Sequence, residues 1–175
     1  MAASLIIAAI DPGLTGAMAF LDPADHASAS VHDMPRITDG VEPIELHRLV
    51  LAHRATVGII EKVQPMPSQG EDKATGKRRS MGATSAFNFG GAFFTARTVL
   101  ALCEIPLHAP SPGAWKKAMG LSGKADAKEI ARQRALELFP HLHERLRRKA
   151  DHNRAEALLL ALYAARFIVG QRSAA

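Results

Sequence analysis

The chain has 175 residues, nearly half of them apolar, with 22 Lys and Arg against 17 Asp and Glu and a formal net charge of +5. That length suits a single domain over residues 1–175 with a real buried core, and the positive balance fits a polyanionic partner. The one cysteine, Cys103, excludes an intramolecular disulfide and a thiolate metal cage. No apolar run approaches the roughly 20 residues of a bilayer span, and the N-terminus lacks a signal peptide's basic flank, so a cytoplasmic protein without a membrane partner is expected.

Residues 5–10 are an apolar run leading into Asp11 and a Pro12-Gly13 turn. This reads as a strand buried on both faces with a carboxylate at its C-terminal edge, where open sheets place ligands. Gly13 and Gly16 permit a tight reversal, and residues 17–21 return as an antiparallel second strand. Asp, Pro and Gly are also ordinary turn residues, so this stretch alone leaves the role of Asp11 open. Residues 27–34 supply a third strand. Pro43 opens a helix whose stripe of Ile44, Leu46, Leu49 and Val50 runs to about residue 53. Residues 57–63 repeat the opening theme, an apolar strand with Glu61 near its end.

Residues 64–81 combine Pro and Gly with Lys73, Lys77, Arg78 and Arg79, and their position after Glu61 favours an arm that tracks phosphates over a solvated connection. Residues 84–103 read as a helix in which Phe87, Phe94, Leu100 and Cys103 recur at helical spacing, the aromatic side chains serving the core or a subunit contact. A short strand at 106–109 ends at Pro110, and a short helix from Pro112 carries Trp115, Lys116 and Lys117. Residues 124–138 form an amphipathic helix, stopped by Pro140, with Lys124, Lys128 and Arg132 on its exposed side. The last helix opens with Asp151-His152-Asn153-Arg154-Ala155-Glu156 and continues apolar on nearly every face, hence buried. His152 and Glu156 share a helical face, whereas Asp151 can converge with Glu156 only from at or before the helix start. The alternative is a capping box of Asn153 and Glu156 with no chemical role.

Together these segments offer four carboxylates from three distant parts of the chain. Burying them together is unfavourable unless cations neutralise them, which calls for a hard divalent ion such as Mg²⁺, used in pairs for phosphodiester hydrolysis. In the order and spacing of Ile10-Asp11-Pro12-Gly13-x-x-Gly16, Ile59-Ile60-Glu61 and Asp151-His152-Asn153-Arg154-Ala155-Glu156-Ala157-Leu158, the chain resembles the RuvC-like Holliday junction resolvases of the ribonuclease-H-like superfamily, over nearly its whole length. The last motif is similar to the phage and organellar branch.

The resemblance implies an α/β fold with a five-stranded mixed sheet flanked by α-helices, a homodimer, and a bacterial or phage-encoded enzyme. It implies Mg²⁺-dependent symmetrical nicking of four-way (Holliday) or branched DNA junctions, with Mn²⁺ able to substitute. It assigns metal and catalytic positions to Asp11, Glu61 and Glu156. Asp151 takes the fourth position, because Asn153 stands where bacterial members carry Asp or His. His152 becomes a candidate proton-transfer group. The DNA contacts fall to Lys77, Arg78, Arg79, Lys116, Lys117, Lys124 and Lys128. After Glu61 this chain has Lys62, Val63 and Gln64 where bacterial members carry an amide and a junction-wedging aromatic, with Met66, Phe87 and Phe89 as substitutes. Two competing functions are a catalytically weak DNA-structure-binding protein and a ribonuclease H acting on RNA–DNA hybrids.

Overall fold

A continuous apolar run becomes the central strand of a sheet. In the computed structural model, which describes residues 4–63, 69–71, 78–79, 82–123 and 126–170, β1 (Ile7–Asp11) is followed by β2 (Ala17–Asp22) and β3 (Asp25–Asp33) as an antiparallel meander. Helix α1 (Pro43–Ala52) then leads into β4 (Val57–Ile60), which lies parallel to β1 on its other side. A small separate ribbon pairs β5 (Gln69–Glu71) with β6 (Arg78–Arg79). The long helix α2 (Ala83–Leu102) precedes β7 (Leu107–His108), which pairs parallel with β4. The sheet order is β3-β2-β1-β4-β7, the expected five-stranded mixed sheet. The chain ends with α3 (Pro112–Ala118), α4 (Ala127–Leu138), the short α5 (His143–Leu146) and α6 (His152–Ala164).

Alternation along β1 splits the core into two layers. Ile7 and Ala9 face a cluster with Trp115, Ala131, Ala135, Phe139 and the buried length of α6. Ala8 and Ile10 face a second cluster with Leu46, Val50, Phe93, Ala96 and Leu100 from α1 and α2. Helices therefore cover both faces, which is why β1 carries no polar residue before Asp11. Among the described residues no helix is long and apolar enough to cross a membrane.

Several sequence expectations need correction. The fourth strand ends at Ile60, so Glu61 lies just beyond it. Of the two roles expected for Phe87 and Phe94, core or subunit contact, the first is excluded: they are 81% and 60% exposed, because α2 is apolar on more sides than the sheet can cover. Arg132 is buried rather than solvent-facing, donating to the carbonyls of Leu146 and Arg147 and paired with Glu129. Lys77, Lys124 and Met66 lie outside the described residues, and Arg78 and Arg79 are described only as the backbone of β6.

Candidate active site

The C-terminal edge of the sheet assembles the cleft. Asp11 closes β1, and the Glu61 amide continues the parallel ladder by donating to the Ile10 carbonyl at 3.1 Å. Between β1 and β2 the chain reverses through Gly13, at φ 137°, and Gly16. A β-carbon on Gly16 would stand 2.1 Å from the Asp11 carbonyl oxygen, so only glycine allows this hairpin to fold back beneath the carboxylate. Glu156 enters from the second turn of α6, buried at 8% exposure.

The fourth wall comes from α3. The Lys62 amide donates to the Pro110 carbonyl at 2.9 Å, tying the chain before α3 to the end of β4. Ser111 caps α3 by accepting from the Ala114 amide, and Pro112 occupies its first turn. The helix directs Trp115 into the core, 1% exposed, where its indole Nε1 donates to Glu61 Oε2 at 2.6 Å. The neighbouring Lys116 donates from Nζ to Glu156 Oε2 at 2.8 Å and stands 3.9 Å from Glu61 Oε2. Its ammonium lies 5.2 Å from the centre of the Trp115 ring, within cation–π range.

Electrostatics separate the groups. Burial, followed by the fields of Glu156 and Glu61, holds the Asp11 carboxyl well above the usual carboxylate range, against the opposing pull of Lys116 and Lys128. Burial also raises Glu61, partly offset by Lys116 and the Trp115 hydrogen bond. Burial works against the charge on Lys116, but Glu156, Glu61 and Asp11 outweigh it and its pKa is raised. Asp11, Lys116 and Glu156 line an open cavity of about 470 Å³ together with Ser85, Asn88 and Phe89 of α2, Lys128 of α4 and Asn153, while Glu61 stands behind Lys116 and is not part of the lining.

Asp11 lies within the electrostatic fields of Glu61 and Glu156, and Lys116 is lodged between the two glutamates. The three carboxylates do not form a closed cage: among the described residues no three His, Cys, Asp or Glu side chains stand together as metal ligands. The donor set itself is all carboxylate oxygen, the ligand chemistry of hard divalent cations, and its accumulated repulsion is what such a cation would relieve.

Asp151 is elsewhere. Its carboxylate accepts the Arg148 amide at 2.9 Å, the Arg148 guanidinium at 2.9 Å and Arg154 Nη1 at 3.2 Å. Burial disfavours its charge, but these bonds outweigh burial and hold its pKa below the usual range. Asp151 precedes α6, as convergence required, yet it lines a neighbouring cavity and does not figure among the charges acting on Asp11. His152 Nε2 lies 3.2 Å from Lys128 Nζ, with Nδ1 near the Lys149 carbonyl, and it faces a third opening. Its link to the cleft is through Lys128. Lys117 is exposed on α3.

The Asn153–Glu156 capping box does not form. Asn153 instead donates from Nδ2 to the Thr15 carbonyl at 2.5 Å and lines the Asp11 cavity. Asn153 and Trp115 are the site residues that sequence reasoning passed over. Asn153 had a signal in its place three residues before Glu156, whereas Trp115 meets a partner 54 positions away and had none.

This is the RuvC-like architecture of the ribonuclease-H-like fold. The chain is similar to T. thermophilus RuvC in complex with Holliday junction substrate at 18% identity and TM-score 0.62, covering 92% of this chain and 93% of that one. It is also similar to the Thermus thermophilus RuvC structure, again at 18% identity and TM-score 0.62, over 95% and 97% of the two chains. No protein-family profile and no curated protein matches the sequence.

Proposed function

We propose that this protein is a divalent-metal-dependent endodeoxyribonuclease that resolves four-way or branched DNA junctions by paired nicks, acting as a cytoplasmic homodimer. The observation that carries the reading is the carboxylate group at the C-terminal edge of the sheet: Asp11 ends β1, and Glu61 and Glu156 meet at Lys116 Nζ, 3.9 and 2.8 Å away, in a field that opposes ionisation of Asp11. Asp11, Glu61 and Glu156 would hold Mg²⁺ or Mn²⁺, which supplies charge neutralisation and an activated water for phosphodiester hydrolysis. Lys116 stands where it can pass from the glutamates to a non-bridging phosphate oxygen, and Lys128 adds positive field at the cavity mouth. Asn153 fixes the hairpin that positions Asp11 by holding the Thr15 carbonyl. Asp151 is a structural ion-pair partner in this reading and not a fourth ligand.

Support for the homodimer comes from α2, where exposed Phe87, Gly91, Phe94 and Leu102 lie within about a quarter turn of one another. Paired nicks need two clefts in fixed relation, and an apolar helix face is a suitable contact. A junction-binding protein with weak turnover is the second reading, favoured by the position of Lys116 between Glu61 and Glu156.

The deciding experiment compares a mobile four-way junction, a linear duplex and an RNA–DNA hybrid, each with and without Mg²⁺, alongside sedimentation of the protein. Mg²⁺-dependent cleavage of the junction by a dimer is expected. Tight junction binding without cleavage would move the assignment to the second reading, and preference for the hybrid would replace both with a ribonuclease H.

A further inference from the structure

Next to the Asp11 cleft lies a second cavity of about 240 Å³, built around three arginines and two aspartates: Arg36, Arg148, Arg154, Asp33 and Asp151. It shares Leu14, Thr15, Gly16 and Asn153 with the Asp11 cavity, so the two are divided only by the β1–β2 hairpin and one asparagine. Strands β1 and β3 both run antiparallel to β2, so Asp33 at the end of β3 and Asp11 at the end of β1 reach the same edge of the sheet.

The donors of the three guanidiniums are not equally committed. Arg154 gives Nε and Nη2 to Asp33 at 2.6 Å each, and Nη1 to the Arg145 carbonyl and Asp151. It is a strut, with hydrogen bonds from all three nitrogens. Arg148 spends Nε and Nη2 on Asp151, leaving Nη1 without a hydrogen bond among the described residues. Arg36 is exposed, and its side chain makes no hydrogen bond or ion pair among them. The wall therefore presents the uncommitted guanidinium of Arg36 and the free end of Arg148, the latter held in place by the ion pairs of Asp151 and Arg154 behind it. A guanidinium supplies five donors in a planar fork that matches phosphate oxygens. Two carboxylates against three arginines leave the cavity with excess positive charge, the reverse of the cleft beside it.

We propose that this cavity is a phosphodiester-binding subsite, in which Arg36 and Arg148 Nη1 hold a phosphate of the DNA strand that crosses Asp11. The proposal rests on the nuclease reading above and adds two DNA-contacting residues outside the 64–81 arm and α3. Arg154, Asp33 and Asp151 act as positioning residues for Arg148.

The test is binding of a fluorescent four-way junction in EDTA, where cleavage is suppressed, by the full chain and by Arg36→Gln, Arg148→Gln and Arg48→Gln variants over a range of salt. Arg48 sits exposed on α1 beside Glu45 and serves as the control. Arg36→Gln is expected to weaken binding by roughly tenfold and to reduce the magnitude of the slope of log K against log salt by about one. Arg48→Gln should leave both unchanged. Arg148→Gln should match Arg36→Gln, with its melting temperature recorded because Asp151 loses a partner. Arg36 joins the fold through its backbone bridge to Val41, and its side chain bonds nothing among the described residues, so its Gln variant reports on binding directly. If the unsubstituted protein binds junctions and Arg36→Gln keeps its affinity within twofold and its full slope, the subsite is wrong and the nuclease reading stands. If the unsubstituted protein binds no DNA, both fall together.

Discussion

Asp11, half-buried, and Asp151, buried, are two aspartates at one edge of the same sheet, and they have been given opposite surroundings. Around Asp151 the chain supplies two guanidiniums and a backbone amide, so the charge is compensated and the carboxyl ionises readily. Around Asp11 it supplies two more carboxylates and two lysines, of which the nearer is already bonded to Glu156. The contrast teaches where to look for chemistry. A buried acid with its full set of partners stabilises the fold, whereas one left in a repulsive field is held there at a cost to the fold, and the cost is consistent with a ligand supplied from outside.

The sharpest way to break the contrast is to neutralise each aspartate in turn. Asp11→Asn is expected to lower Mg²⁺-dependent junction cleavage by roughly 10³-fold or more, the scale of several kcal/mol of lost charge stabilisation, while junction binding persists. Asp151→Asn should do the opposite. It should cost about 2 kcal/mol of folding stability, because the guanidiniums lose their counter-charge and one of the two acceptor oxygens becomes an amide donor, and lower cleavage only a few-fold. Cleavage assays and urea denaturation of both variants check this. Equal loss of cleavage without loss of stability in Asp151→Asn would restore Asp151 as a metal ligand.

A smaller effect should follow from Trp115→Phe. Phenylalanine keeps most of the buried volume but removes the indole donor that fixes Glu61 Oε2. Partners that orient a metal-binding carboxylate typically contribute a factor of ten or more, so the Mg²⁺ concentration for half-maximal cleavage should rise by roughly tenfold with little change in the saturated rate. Because Trp115 is the chain's one tryptophan, the intrinsic fluorescence of the unsubstituted protein should also respond to Mg²⁺. An unchanged Mg²⁺ requirement in the variant would reduce Trp115 to a core residue.

Much of this arrangement was legible in the residues. A carboxylate at the end of a doubly buried strand is an unusual placement, and its recurrence at Glu61 pointed to one sheet edge. Asp151 was harder, although the signal was present: Arg148 and Arg154 stand three residues to either side, the spacing at which helical side chains meet. The motif likeness assigned Asp151 to the metal site, whereas the arginines beside it support the structural role proposed above. The exposure of Phe87 and Phe94 could not be read from spacing, because on a helix apolar all round the pattern does not say which side the sheet takes. The indole of Trp115 reaches Glu61 only through packing of α3 on the sheet.

The two aspartates should also respond to pH with opposite sign in metal-free protein. Asp11 has a folded pKa above its unfolded value, so it adds nothing where both states are protonated. Stability is then lost as pH rises through the unfolded value near roughly pH 4 and continues to fall until the folded pKa is passed. Asp151 and Asp33 have folded pKa values below the unfolded one, so their contribution is present above that range and is lost as pH falls through the folded values. In EDTA, Asp11→Asn should therefore match the unsubstituted protein in melting temperature at low pH and exceed it by a few degrees at neutral pH. Asp151→Asn should lie below it at neutral pH and draw level in acid. Melting curves between pH 3 and pH 8 test both, and a neutral-pH gain for Asp151→Asn would place uncompensated charge at that residue and remove the distinction between the two sites.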